Sequence, residues 1–337
     1  MSAVSLNEGA GRVPRLAATA KAAQRDLPLA QLLLLALLFG AGVITVSGFA
    51  SSYGLRSMLV LASLLGISAL GQTVCLLVGG LDISIPAWIL TGATVTVELL
   101  GALHPWPLWA VLLMLFGGAI LIGGAVGLIS YYFLVPSLIV TLAVAAILEG
   151  VIIGWTGGNV TGLPPAAIGS LTSIGSTTAG IALPPCVFIW LLVAIVAYVI
   201  LQRSVVGSWV YATGNNRRAA ELALVPTHWV WAGAFALSAL SAVAAGVLLS
   251  GFSAGGDPSV GTPYLWNGVT AVLIGGTAFG TRGDYTRTVI GTLIVIVLSQ
   301  AMTGWGLQPA AQDIFFGALI IGVVSIYRRD RRLQDQI

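Results

Sequence analysis

Eleven acidic and fourteen basic side chains are all the formal charge this chain of 337 residues carries, so the setting of each can be weighed. Three acids lie in or beside long apolar runs: Asp82, Glu98 and Glu149. Ionisable groups at membrane depth are costly and are functional by default. Asp82 belongs to the polar turn Gly79-Gly80-Leu81-Asp82-Ile83-Ser84, which ends just before Pro86. A carboxylate there can accept backbone N–H groups and cap the helix that follows; the other reading is a solvated loop acid. All three acids fall close to the ends of their runs, and no Arg or Lys falls mid-run. The lack of an acid near the midplane argues against an ion-driven carrier.

The chemistry that is missing narrows the field. Lys21 is the only lysine and no Gly-rich phosphate loop ends in it, so the sequence contains no P-loop. It has no HExxH zinc motif. His104 and His228 stand far apart, and Cys75 and Cys186 sit among apolar residues as small hydrophobes. We therefore expect no catalytic residue, no metal and no cofactor in this chain. Any ATP would be bound by another polypeptide. The basic residues form no patch interleaved with aromatics, so no nucleic-acid partner is expected.

Two further groups could recognise something. Trp155, Tyr264 and Trp266 lie near the ends of apolar runs, with Asn267 and Gln300 close by. Aromatic rings pack on the apolar face of a sugar and amides bond its hydroxyls; Trp and Tyr also form interfacial belts that bind nothing but lipid. The segment 203–227 holds Gly214, Asn215, Asn216, Arg217, Arg218, Ala219, Ala220 and Glu221. Asn216 can cap a short helix over 217–224, and Pro226 discourages its continuation. Ala219, Ala220 and Ala223 would give it a small-residue face. Such a helix suits docking into a partner's groove, and equally suits a membrane-surface turn anchored by arginines.

The elements that must position these residues follow from composition. Hydrophobic residues make up 58% of the chain and charged residues 7%, against about 25% charged in soluble domains. A globule needs polar cover, so the bilayer must solvate most of this surface. The 43 glycines fit close membrane-helix packing. Spanning helices need about 20 apolar residues, and ten candidate runs occur: 29–49, 58–78, 86–103, 108–130, 136–155, 183–201, 230–249, 265–279, 288–302 and 314–326. The run near the N-terminus exceeds a signal-peptide core of about 7–15 residues and is read as an uncleaved span. Lys and Arg accumulate on cytoplasmic loops. With ten spans and both termini inside, thirteen of the fourteen basic residues are cytoplasmic and only Arg56 is outside.

The expected fold is thus an all-α integral membrane protein of about ten transmembrane helices, some short or broken. Residues 1–28 form a cytoplasmic segment, 29–327 a single transmembrane domain with its main inside loop at 203–227, and 328–337 a basic cytoplasmic tail. The runs at 265–279 and 86–103 are the unusual ones. The first would rise only about 22 Å, and the second starts abruptly at Pro86. Short or Gly/Pro-interrupted spans often line a solute path, although tilt and glycine packing explain them equally well. Leu76-Leu77-Val78-Gly79-Gly80 and Val272-Leu273-Ile274-Gly275-Gly276 echo each other, at a level that chance explains.

Together these stretches resemble the permeases of ribose-type ABC importers, a family that includes xylose, galactose and autoinducer-2 carriers. Gly79 to Ser84 is similar to the family's GG-[IL]-D-[LI]-S signature, and Pro136 to Leu142 to its P-x-[FL]-I-V-T-L segment. Thr156-Gly157-Gly158 and Ile274-Gly275-Gly276-Thr277 match two more of its motifs, and Gly207 to Glu221 resembles the stretch that couples to the ATPase. The sequence departs from the pattern at Pro86, at Asn215, at Glu149-Gly150, and after Tyr264, where Leu265-Trp266-Asn267 replaces two usual acids. The resemblance implies a type II importer-like fold in a bacterial inner membrane. It also implies a second permease copy or sister permease, a cytosolic ABC ATPase and an extracytoplasmic solute-binding protein. Residues 214–221 would then couple to the ATPase. Gly79, Gly80, Asp82, Ser84, Trp155, Tyr264, Trp266, Asn267 and Gln300 would line the translocation path. The rivals are a branched-chain amino-acid or nucleoside permease of the same kind, an ion-coupled secondary transporter, and an intramembrane transferase, for which no catalytic constellation is visible.

Overall fold

A computed structural model describes residues 28–100, 106–160, 162–253, 259–277 and 283–334. Arg12, Arg15, Lys21, Arg25, His104 and Arg282 lie outside them. All named elements among the described residues are helices. They are α1 (Leu29–Thr45), α2 (Ser52–Leu77), α3 (Ile85–Leu100), α4 (Leu108–Tyr132), α5 (Ser137–Thr156), α6 (Ala166–Thr172), α7 (Pro185–Arg203), α8 (Val205–Asn215), α9 (Arg217–Leu222), α10 (Thr227–Ser253), α11 (Thr262–Ile274), α12 (Tyr285–Gly304) and α13 (Pro309–Gln334). A helix underlies each of the ten expected runs. Six of them, α2, α4, α5, α7, α10 and α12, are long and apolar enough to cross a membrane by themselves. The helices α1 and α3 and the first part of α13 are apolar but shorter. At 13 residues α11 is shorter still. Two helices were not expected: α6, inside the polar, Gly- and Pro-rich residues 156–181 between the fifth and sixth runs, and α8, inside the 203–227 loop.

The helices form an inner and an outer layer. In α2, 89% of the most apolar stretch is buried, against 22% in α5 and α7 and 28% in α4. The outer helices turn Leu113, Leu121, Ile147 and Leu192 outward. Such a surface is stable only where the solvent is hydrocarbon, because a helix satisfies its own backbone groups there. At the centre α10 packs against α2, α3 and α4. Glycines set the closeness of this packing. A Cβ on Gly71 would meet the Ser238 backbone, one on Gly127 the Trp231 carbonyl, and one on Gly246 the Ile89 carbonyl.

One end of the bundle gathers most of the polar connections. The α2 C-terminus lies against α8, where a Cβ on Gly214 would overlap the Leu77 carbonyl oxygen. The Tyr211 hydroxyl donates to the Gly283 carbonyl just before α12 (2.8 Å). Tyr131, at the end of α4, bonds both Glu221 and Thr227 at 2.8 Å. Arg203, Arg217, Arg218 and Arg287 belong to this end, while Arg56 sits in the first turns of α2 at the other.

Candidate functional site

The turn after α2 is exposed at Gly79 but buries Asp82 and Ser84. Gly79, at φ +88, closes the helix, and Leu81 to Ser84 then runs without regular structure to α3. Ser137, at the start of α5, donates to the Leu81 carbonyl and accepts its N–H, both at 3.1 Å. Thr141, one turn on, accepts from the Ile83 N–H at 3.2 Å. Asp82 is 1% exposed, beside Ser238, about three turns or roughly 16 Å along α10. Its Oδ1 accepts from the Ser84 N–H (2.8 Å) and the Ser84 hydroxyl (2.6 Å), in front of α3, which starts at Ile85. The expectation of an acid near the interface is therefore corrected, because the extended link carries Asp82 into the bundle. The argument it supplied against an ion-driven carrier lapses with it. Glu98 is half-buried and Glu149 exposed.

The α8–α9 unit is built by local rules and then fastened to its own subunit. Ser204 caps α8 by accepting the Gly207 N–H, and Asn216 caps α9 by accepting the Ala219 N–H at 3.0 Å. Arg217 pairs with Glu221 at 2.9 Å and lies 3.7 Å above the centre of the Tyr131 ring. Hydrogen bonds from Arg217 and then Tyr131 hold the Glu221 carboxyl below its usual value. Burial, and next the Asp284 carboxylate, push the Tyr211 phenol up to about 12. It therefore stays protonated and can donate to Gly283.

This packing corrects the small-residue face. Ala220 is 4% exposed and faces the protein's own interior, while Ala219 and Ala223 face outward. The prominent outward groups are instead Leu222 at 82% and Leu224 at 91% exposed. Leu224 is also held at φ +60, a conformation non-glycine residues rarely adopt. Sequence reasoning passed over both leucines, although two apolar residues in a charged loop were a readable signal.

The other expected residues separate. Tyr264, Asn267 and Gln300 line one cavity of about 320 Å³ between α2, α11, α12 and α13, which Ser299, Thr303, Gln312, Asp313 and Phe316 also line. These elements place it at the end opposite α8. Trp266 is 43% exposed and Trp155 50%, on α11 and α5, and neither lines the cavity. Gly79, Gly80, Asp82 and Ser84 stay with α5 and α10 as described. A larger cavity of about 670 Å³ lies between α2, α7, α8 and α10. Apart from Ser241 and the indole N–H groups of Trp209 and Trp229, its lining side chains are hydrocarbon, which ill suits a hydroxylated solute. Cys75 and Cys186 are buried free thiols, and no group of three or more His, Cys, Asp or Glu that could hold a metal occurs among the described residues.

Comparison with known proteins identifies the family. The model of the family described as branched-chain amino acid transport system / permease component matches residues 54–324. The chain is 29% identical over 262 residues to the ribose import permease protein of Haemophilus influenzae, covering 75% of this chain and 78% of that one. It is 28% identical over 306 residues to the L-arabinose ABC transporter permease protein of Azospirillum brasilense, covering 88% and 86%. It is 30% identical over 267 residues to the autoinducer 2 import system permease protein of Escherichia coli, covering 77% and 79%. No solved structure gives a significant match.

Proposed function

We propose a function from one premise: the chain belongs to the branched-chain amino acid transport system / permease component family, and within it resembles the ribose-type sugar permeases. It is the transmembrane permease subunit of an ABC importer and moves a monosaccharide or sugar-like solute into the cytoplasm. Energy comes from ATP bound by a separate cytosolic ATPase; the chain performs no covalent chemistry and holds no cofactor. An extracytoplasmic binding protein delivers the solute, and a second permease copy or a sister completes the path. Residues 29–327 form one domain of ten spans in a bacterial inner membrane, with both termini cytoplasmic. In support, Arg203, Arg217, Arg218 and Arg287 share one end of the bundle and Arg56 has the other.

The observation that carries this reading is the α8–α9 unit. It touches the end of α2 through Gly214 and the approach to α12 through Tyr211, and it turns Leu222 and Leu224 outward. A partner that grips the two leucines can thereby bias both helix connections. ATP binding shifts the balance of inward- and outward-open states only if contacts differ between them, and this unit is where we place that difference. Leu222→Ala and Leu224→Ala should each weaken co-purification with the ATPase. Three buried carbons at ~0.8 kcal/mol each set a ceiling of roughly 50-fold. Solute-stimulated ATP hydrolysis should fall in parallel, with membrane insertion intact. Wild-type assembly and stimulation in both variants would remove this unit as the docking site.

A further inference from the structure

The 320 Å³ cavity at the far end carries information about the solute that the family description and the relatives' names leave divided between amino acids and sugars. Its size sits at the lower edge of ligand sites, about 300–1,000 Å³, which suits a molecule of five or six carbons. Asn267, Ser299, Gln300 and Asp313 line it, and the side chain of none of them has a protein hydrogen-bond partner among the described residues. Polar groups at a cavity wall that the protein leaves open are satisfied by water or by a ligand's hydroxyls. Tyr264 and Phe316 add apolar ring surface to the same wall. Two amides, a hydroxyl, a carboxylate and two rings match a molecule with hydroxyls at its edges and C–H groups on its face.

Charge decides between the two solute classes. The lining holds the Asp313 carboxylate and no Lys, Arg or His. A branched-chain amino acid would bring its own carboxylate into a site with no cation to meet it and one anion to repel it. A neutral polyol meets no such cost, and an ionised carboxylate is a strong acceptor for its hydroxyls. We propose that this cavity is a solute subsite at the outer end of the path, selective for neutral polyhydroxylated molecules over zwitterionic amino acids. The proposal rests on the importer reading for its place in transport, and its binding chemistry is tested without it.

The test uses the full chain in lipid nanodiscs, with Ser299→Cys as the reporter and Thr303→Cys as a second should the first fold poorly. Cys75 and Cys186 are buried, so maleimide labelling reads the introduced thiol. D-Ribose, L-arabinose, D-allose and L-leucine are the probes. At least one of the sugars should slow labelling, and L-leucine at the same concentration should not. Asn267→Ala and Gln300→Ala in the reporter background should each raise the sugar concentration needed, by roughly two- to tenfold for one hydrogen bond. Protection by L-leucine alone, or by no sugar, overturns the subsite. If no sugar protects and the reporter protein, joined to its ATPase and binding protein, still takes one up, the subsite falls and the importer reading stands. Protection without any ATP-driven uptake supports the subsite and removes the importer reading.

Discussion

At the end of α2, the Gly79 N–H returns to the Leu76 carbonyl and the Gly80 N–H to the Cys75 carbonyl, with Gly79 at φ +88. At the end of α11, Gly276 at φ +98 returns to Leu273 and Thr277 to Val272. Both are the same left-handed helix closure. The two closures do not align in the register of the sequence echo, since Gly79 matches Gly276 rather than Gly275, so the likeness is one of helix ending and not of letters. Each connection also has an acid before the next helix: Asp82 accepts the Ser84 N–H and Asp284 the Arg287 N–H. The difference lies in what surrounds them. Asp82 is buried, and its link is bonded to Ser137 and Thr141 of α5. Asp284 is half-buried. The α8 helix presses its backbone on the first connection at Gly214, and among the described residues of the second Tyr211 hydrogen-bonds Gly283. The first connection is thus fixed by buried backbone contacts, and the described part of the second meets α8 through the Tyr211 hydrogen bond.

The largest expected effect comes from breaking the contact at Gly214. Gly214→Val would drive a side chain into the Leu77 carbonyl, where backbone stands on both sides and no rotamer relieves the overlap. Overpacking costs about 1–3 kcal/mol, and this site belongs at the top of that range. Thermal unfolding in detergent should show the loss, together with failed ATPase stimulation. An unchanged melting temperature would mean that α8 does not bear on α2 at all.

Next in size is the contrast between the two acids. Asp82→Ala strips the acceptor from the Ser84 N–H and the Ser84 hydroxyl inside the bundle, and unmet buried donors cost about 1–3 kcal/mol. Asp284→Ala removes a cap at a half-buried helix start, about 0.5–2 kcal/mol. Side-by-side melting should place Asp82→Ala lower. Equal losses would dissolve the distinction between the two connections.

How far these features were legible depended on whether a local rule or a tertiary neighbour decided them. The ten apolar runs and the Asn216 cap follow from composition and from one side chain bonding a nearby N–H, and both could be read directly. Asp82 could not be placed in depth, because Leu81 to Ser84 has the composition of a surface turn and only its bonds to Ser137 and Thr141 show it entering the bundle. The α8 helix was hidden because Gly207, Ser208 and Gly214 weaken its helical signal, while Ser204 and packing on neighbouring backbone sustain it. Tyr264 and Asn267, three apart on α11, were readable as one face. That α12 and α13 complete the cavity with Ser299 and Asp313 is a fact of packing that no spacing encodes.

The smallest expected effect sharpens the second connection. Tyr211→Phe keeps the ring and deletes only the hydroxyl that donates to Gly283 and accepts from Gln202 at 3.1 Å. One such bond contributes about 0.5–1.5 kcal/mol, so the melting temperature should fall far less than for Gly214→Val. Coupling should suffer more than stability, because the lost bond is the one α8 makes to the approach to α12: basal ATP hydrolysis is retained while its stimulation by loaded binding protein declines. The phenol also leaves a mark in pH. Burial and Asp284 raise its folded value from 10.0 to about 12, so the protonated form is favoured in the folded state. Its contribution is complete below pH ~10 and is lost as pH rises toward ~12, where the unfolded chain releases the proton first. Wild-type stability should therefore fall between those limits by more than that of Tyr211→Phe. Parallel alkaline limbs in the two proteins would show that burial and Asp284 do not raise the phenol, and its place beneath the start of α12 would then be wrong.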